Sequence, residues 1–540
     1  MLANTRLFSQ VRAGVTHTPT EWSFRSGKQY KDPFNEIELD VVFQGPGGTE
    51  HRVPAFWGGG QTWRVRYAPS APGDYSFHSV CSDASNPDLQ GVRGTLQVRP
   101  SSEGGNAPYQ HGPVHVAPDK RHFEHADGTP FFWLGDTQWM GLCDRIQWPD
   151  EFQALTADRV RKGFTVVQIV AGLYPDMPAF DPRGENEAGF PWDHSYTRIR
   201  PEYFDMADLR IQHLADQGIV PCIVGCWGYF LPQMGVPKIK QHWRNLVARW
   251  GAYPVMWCLA GEGTMPFYLS KTPEQDREIQ KHGWTEIARY VRSIDPAHHP
   301  ITIHPSTSAR ATVDDPNVID FDMLQTGHDD RRSVPNTIES IRRSLAAEPK
   351  MPVLVGEVCY EGIQEASREE VQRFLFWSCI LSGAGGHTYG ANGIWQVNTR
   401  AKPYGLSPHG HAWGGPAWDI AARLPGSGEL GLGKALLTRY SWWKLEPAHE
   451  IVEPHWTSEN YWQPFAARIP GEAVIAFAPT AWKALRFRNL EPKPHRAFLY
   501  NPSDGTEVDF GHITPDASGV WQAPEFPVIR DWVMVLDQRS

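Results

Sequence analysis

Eight short apolar runs, most of them followed by a stretch long enough for an amphipathic helix, fill the middle of this chain from Phe131 onward. They read FFWLGDT, TVVQIVAG, IVPCIVGCW, PVMWCLAGE, PITIHPS, DMLQTGH, PVLVGEVCYEG and GGHTYGANG. A strand buried on both faces needs continuous rather than alternating apolar sequence, and parallel strands are buried that way because crossover helices cover their sheet. Helical patterns follow at 150–162, 203–217, 238–250, 273–294, 336–347 and 367–381, whereas PITIHPS leads only into a loop. Eight βα units over roughly 300 residues match a (β/α)8 TIM barrel with insertions. A doubly wound open sheet is the rival, but no glycine-rich phosphate loop follows the first strand.

The flanks keep a different rhythm. EIELDVVFQGPGG, QTWRVRYAPSAPGDYSFHSV and VRGTLQVRP alternate apolar and polar residues between Pro/Gly turns, the pattern of short antiparallel strands in a β-sandwich. SSEGGNAPYQHGP, from Ser101, reads as the linker out of it. After Leu445, AVIAFAP, HRAFLYNPSDG and VIRDWVMVLD return to strands and predict a second small sandwich. The expected α/β chain therefore has an N-terminal β-sandwich over 1–108, a catalytic barrel over 109–445 and a C-terminal β-sandwich over 446–540.

Composition removes several function classes. A formal net charge of −10 without a long basic run argues against a nucleic-acid binder. No run approaches the roughly 18 apolar residues of a membrane span, and MLANTRLFSQVRAG lacks the apolar core of a signal peptide. The seven cysteines are an odd number, and Cys222, Cys226, Cys258 and Cys359 sit in apolar strand-like runs. Buried reduced thiols in a cytoplasmic protein are the expectation. Cys222 and Cys226 could share one strand face, but no nearby pair completes a zinc site, so neither metal nor organic cofactor is expected. A homo-oligomer is compatible with the sequence, which leaves oligomeric state open. Twenty-three tryptophans are many; most are expected in packing, and a minority in a binding cleft, since flat rings with a polar handle suit sugar faces as well as cores.

In a (β/α)8 enzyme the chemistry sits at the C-terminal ends of the strands. Those ends present Asp136, Trp227, Glu262, His304, His328, Glu357, His387 and Tyr389. Glu262 closes the fourth strand and Glu357 the seventh, about 95 residues or three βα units apart, so the two acids can face one ligand across the mouth. Hydrolysis of a glycosidic bond requires such a pair: one carboxyl protonated for the leaving oxygen, one ionised to attack the anomeric carbon. Glu262 is assigned as acid/base and Glu357 as nucleophile, with Glu361, four residues further on, as the alternative nucleophile. Tyr360 is placed to orient the nucleophile. Asp136 is read as binding a sugar hydroxyl or capping the turn after its strand. His387 and Tyr389 are read as subsite residues, His304 and His328 as subsite or core histidines, and Trp227 and Trp395 as stacking platforms. The long loop PDMPAFDPRGENEAGFPWDHSYTR after the second strand should wall the pocket, with Asp176, Glu185 and Glu187 facing water more than substrate.

FFWLGDTQW, KGFTVVQIV, WCLAGE, VLVGEVCYEG and above all SGAGGHTYGANGIWQ resemble the apiosidase-like glycoside hydrolases, over Arg121 to Pro447. The resemblance implies a (β/α)8 barrel related to the large retaining clan with acid/base on strand four and nucleophile on strand seven. The first hundred residues resemble a β-sandwich domain of unknown function fused upstream of such barrels. The segment from SWWKLEP resembles the small sandwich that follows them, labelled collagen-binding by analogy. Two departures stand out. Relatives carry Gly-Gly-Asp where this chain has Ala260-Gly261-Glu262, one methylene longer at the acid. The wider clan places Asn before the acid to hold the substrate 2-hydroxyl, and Gly261 cannot do so. What the resemblance implies is a retaining exo-acting hydrolase that removes a terminal, furanose-like sugar such as apiose or arabinose from an oligosaccharide. A carbohydrate-binding protein on a degenerate barrel and a transglycosylase are the alternatives.

Overall fold

The eight apolar runs form one eight-stranded sheet, ordered β5-β4-β3-β2-β1-β8-β7-β6. The strands are β1 (Trp133–Thr137), β2 (Val166–Val170), β3 (Val220–Val224), β4 (Met256–Cys258), β5 (Ile301–Thr302), β6 (Asp322–Gln325), β7 (Val353–Glu357) and β8 (Gly386–Tyr389). Every neighbouring pair is parallel. The seam between β5 and β6 is stitched by the Asp320 N–H donating to Ile301 O at 2.8 Å and the Thr302 hydroxyl to Phe321 O at 2.9 Å, so the sheet closes nearly completely. This computed structural model describes residues 10–101, 106–481 and 484–539. Residues 1–9, which hold most of the segment read as lacking a signal peptide, and 102–105 of the expected linker lie outside the described residues.

The helices α1 (Asp150–Arg161), α2 (Pro201–Asp216), α3 (Val236–Trp250), α4 (Pro273–Ile294), α5 (Ser333–Ala346) and α6 (Glu369–Leu381) lie where the amphipathic patterns placed them, within a few residues. After β5 only the four-residue helix Ala309–Thr312 forms. A seventh long helix, α7 (Pro425–Leu437), was not expected, because glycine costs about 1 kcal/mol per residue in a helix. Close packing explains those glycines. A Cβ at Gly431 would stand 2.0 Å from the Lys162 carbonyl oxygen, and one at Gly433 2.5 Å from the Phe376 ring. A three-stranded sheet of Val114–Val116, Phe123–His125 and Pro130–Phe131 precedes the barrel, and its Phe123 ring packs edge-on against Phe321 at 5.1 Å.

Ahead of it, a five-stranded and a three-stranded sheet enclose a core of residues such as Trp22, Phe43, Val65 and Phe77. They dock on the barrel through α2 and α3: Arg66 donates to Asp208 at 2.6 Å, Asp208 also accepts from Arg249 at 2.9 Å, and the Arg249 guanidinium lies 4.3 Å from the Phe56 ring centre. At the other end, a six-stranded sheet packs one face on the barrel, with Phe477 stacked on Trp377 of α6 at 6.3 Å. Its other face shares a core with a three-stranded sheet. No helix among the described residues is long and apolar enough to cross a membrane.

Candidate active site

Side chains along a strand alternate between the two sheet faces, so parity decides which strand-end residues reach the barrel mouth. Glu357, the last residue of β7, is 6% exposed and lines a cavity of about 160 Å³ together with Glu262. An extra residue in β7, Gly356, falls between the Leu324–Val355 and Gln325–Glu357 pairs and brings Glu357 into register with Gln325; bulges re-aim side chains in this way. The Gln325 Nε2 then donates to both acids, at 3.2 Å to Glu262 Oε1 and 3.3 Å to Glu357 Oε1. Glu262 follows β4 with φ +41°. A non-glycine residue in the left-handed region costs on the order of 1–3 kcal/mol, a strain that collects at functional sites.

The two carboxyls stand in opposite electrostatic surroundings. Burial, with the neighbouring Glu357 charge, pushes the Glu262 carboxyl above its ordinary value despite opposing contributions from His304, Gln325 and Trp227. Burial also works against a charge on Glu357, but His304 and His328 outweigh it and hold that carboxyl well below the usual carboxylate range. His328 Nε2 bonds to Glu357 Oε1 at 2.8 Å, and the pairing raises the imidazole's own pKa against burial. His304 Nε2 faces Glu357 Oε2 at 3.1 Å, off the hydrogen-bond axis, while its Nδ1 accepts from the Glu262 N–H at 3.5 Å. One acid is thus biased to stay protonated and its partner to stay ionised, the division that acid–base and nucleophilic work demand.

Aromatic rings make the walls. Trp139, Trp227 and Trp395 line the cavity with Tyr360, whose hydroxyl accepts from the Trp139 indole at 3.0 Å. Burial and the adjacent Glu357 keep that hydroxyl far from ionising. Trp227 donates to Glu262 Oε2 at 3.3 Å. Its ring occupies the place of a side chain at position 261, where a Cβ would stand 2.1 Å from ring carbon. Glycine precedes the acid because the indole needs that space. Tyr268 and Trp413 close the outer side, joined by a run of rings from Tyr268 to His409 at 5.0 Å, His411 at 6.0 Å and Trp413 at 4.5 Å. A larger cavity of about 250 Å³ lies between the N-terminal sandwich and the barrel, but no carboxyl lines it.

Three expected subsite residues face the helix layer instead. Asp136 is fully buried and accepts from Arg159 of α1 and from Gln138, both at 2.8 Å, so it is neither a sugar ligand nor a turn cap. Tyr389 donates to Glu361, with the Arg159 guanidinium 5.7 Å from its ring centre. His387 is enclosed beside Phe376 of α6, and burial pushes its pKa down to about 3. Glu361, the alternative nucleophile, also accepts from the Gly426 N–H and lies outside the cavity; burial raises it to about 7. His304 is fully buried behind Glu357 and meets the acid rather than the cavity.

The sequence reading missed Trp139, Gln325, Tyr268 and Trp413, and it turned Asp176 toward water, whereas all five line the cavity. Gln325 carried a usable signal, a polar residue ending an apolar strand; Tyr268 and Trp413 sit in long loops without one. Glu187 pairs with Arg210 at 2.6 Å, away from the cavity. All seven cysteines are free and buried. Among the described residues no cluster of His, Cys, Asp and Glu is arranged to hold a metal ion.

Fold and family together make this chain a glycosidase, a glycoside hydrolase built on a (β/α)8 barrel. It belongs to the apiosidase-like family, whose catalytic-domain model ("Apiosidase-like, catalytic domain") matches residues 117–444. A domain of unknown function, DUF5060, matches residues 16–82. Among solved structures, one titled "Glycoside hydrolase" shares 22% identity over 81% of this chain and 99% of its own, with a TM-score of 0.67. A glycoside hydrolase family 5 protein from Bacteroides vulgatus matches at 22% identity, over 81% of this chain and 96% of its own, with a TM-score of 0.68. Another Bacteroides vulgatus structure covers 97% of this chain and 100% of its own at 16% identity and a TM-score of 0.71, so nearly the whole chain follows a known arrangement. No curated protein matches the sequence.

Proposed function

We propose that the protein is an exo-acting, retaining glycosidase that removes a terminal sugar from oligosaccharides, with Glu262 as acid/base and Glu357 as nucleophile. The observation that carries this reading is the opposed bias of two carboxyls held by one donor, Gln325. Their Oε1 atoms lie no more than roughly 6.5 Å apart, the two bonds laid end to end. That closeness of the facing oxygens is compatible with the about 5–5.5 Å carboxyl spacing of retaining enzymes.

In the first step Glu262 gives its proton to the glycosidic oxygen while Glu357 attacks the anomeric carbon, forming a glycosyl ester and releasing the aglycone. In the second, Glu262 takes a proton from water, the water oxygen attacks the same carbon, and the Glu357 carboxylate leaves. His304 and His328 favour the ionised nucleophile before attack and after release. Exo action is supported by size: about 160 Å³, walled by the Tyr268–Trp413 rings, is below the roughly 300 Å³ at which pockets for larger ligands begin and suits one sugar ring. A furanose such as apiose or arabinose is the substrate we favour from the family. The cytoplasm is the compartment we favour, supported by seven unpaired buried thiols. Screening aryl glycosides of pentoses and hexoses, then following the product anomer by NMR, tests the reading. Initial release of the inverted anomer would sink the retaining mechanism, and binding without turnover across the panel would sink the enzyme assignment for this site.

A further inference from the structure

Asp176 lies in the loop after β2, in the cavity wall on the Glu262 side, and is only 3% exposed. Neither of its carboxyl oxygens has a partner of hydrogen-bond geometry among the described residues. Trp413 and Tyr268 turn polar atoms toward it without completing a bond of that geometry. Arg183, whose charge reaches it, uses its own N–H groups on Asp181 and on the carbonyls of Tyr404 and Leu406. The backbone at Asp176 takes φ +58°, a left-handed conformation that holds the side chain in the wall. A buried carboxyl whose nearest donors, Trp413 and Tyr268, fall short of hydrogen-bond geometry is costly unless something else supplies donors. The open space in front of it is the sugar cavity.

We propose that Asp176 is the specificity residue of the pocket, accepting hydrogen bonds from a pair of neighbouring hydroxyls of the bound sugar and restricting the site to neutral rings. This rests on the reading that a sugar occupies the cavity. A carboxylate offers two acceptor oxygens and no donor, which matches a vicinal diol. The same charge, in a described lining without Lys or Arg whose His328 is already paired with Glu357, repels a sugar that carries its own carboxylate. Uronic acids are therefore excluded by charge rather than by size. Burial raises the Asp176 carboxyl to about 6, so it is mostly ionised at neutral pH while remaining poorly solvated, a state that gains from hydroxyl donors.

Four tryptophans line the cavity, so intrinsic fluorescence reports sugar entry whether or not a bond is cleaved. The intact chain is titrated at pH 7 with neutral pentoses and hexoses and with glucuronate and galacturonate, as wild type, Asp176→Ala and Asp176→Asn, with melting temperature measured alongside. We expect at least one neutral sugar to bind wild type and the matching uronate to bind at least about tenfold more weakly. Asp176→Ala should lose roughly ten- to hundredfold in affinity, the scale of charge-assisted hydrogen bonds, without a lower melting temperature, and Asp176→Asn should lose less. If the alanine variant does not fold, the asparagine variant carries the comparison. The proposal is overturned if variant and wild type bind within about twofold, if uronates bind as well as neutral sugars, or if no neutral sugar binds. Failure of the catalytic reading looks different: Asp176-dependent binding intact, with no aryl glycoside hydrolysed.

Discussion

Trp227 donates its indole N–H to Oε2 of Glu262 at 3.3 Å while the same ring fills the space over Gly261. The residue before the acid and the orientation of the acid are therefore one packing problem. Gly261→Ala places a methyl into the indole, and overpacking of this kind costs about 1–3 kcal/mol. We expect a lower melting temperature and, because the displaced indole no longer bonds Glu262, a loss of roughly tenfold in kcat/KM. Wild-type kinetics in that variant would show that the indole contact does not position the acid.

The two glutamates should fail in different ways. Glu357→Ala is expected to abolish turnover, and added azide should restore part of it as a glycosyl azide of inverted configuration. Glu262→Ala should retain most of its first-step rate on aryl glycosides with good leaving groups and lose it on poor ones, since only the latter need a proton. Pre-steady-state bursts with both substrate types read this directly.

The pH profile of kcat/KM should be bell-shaped. Glu357 must be ionised, so activity falls as pH drops through its depressed pKa; Glu262 must be protonated, so activity falls as pH rises through its elevated one. His328→Ala removes a donor to Glu357, so the acidic limb should move to higher pH and kcat/KM should fall roughly ten- to hundredfold. Glu262→Ala should erase the basic limb.

Asp136 gives a contrasting case. Its buried pairing with Arg159 means that Asp136→Ala leaves the guanidinium with Asp158, at 2.7 Å, as its remaining carboxylate partner, at a cost of about 1–3 kcal/mol. The fraction that folds should keep its KM, which a sugar-binding residue would not. Denaturant unfolding together with KM on the native fraction separates the two.

Acid stability should depend on Asp208, where the N-terminal sandwich meets the barrel. Burial opposes its charge, but Arg249 and Arg66 outweigh burial and hold its carboxyl below the ordinary range. A depressed native pKa contributes stability above the unfolded value of about 3.9, lost as pH falls through the native one. Asp208→Asn should lower the melting temperature at pH 7 and flatten its decline between pH 5 and pH 3.

Local sequence was enough for the barrel strands, six of its seven long helices and a set of candidate strand-end residues that includes Glu262 and Glu357, because periodicity and strand-end position are written along the chain. It was not enough for α7, whose glycines look like a loop until Lys162 and Phe376 are seen against them. Nor could it separate Glu357 from Asp136, His387 and Tyr389, all polar residues at strand ends. Val355 is in register with His387, so alternation alone would turn Glu357 to the same face; the extra residue Gly356 in β7 shifts it toward the cavity, and that bulge exists only once β6 and β7 have paired. Asp176, Tyr268 and Trp413 reach the site from loops whose paths depend on packing far away in sequence. The chain by itself determined which acids were available; only the tertiary structure decided which of them share a donor, because the histidine and glutamine contacts that divide their charges join strands that meet by folding alone.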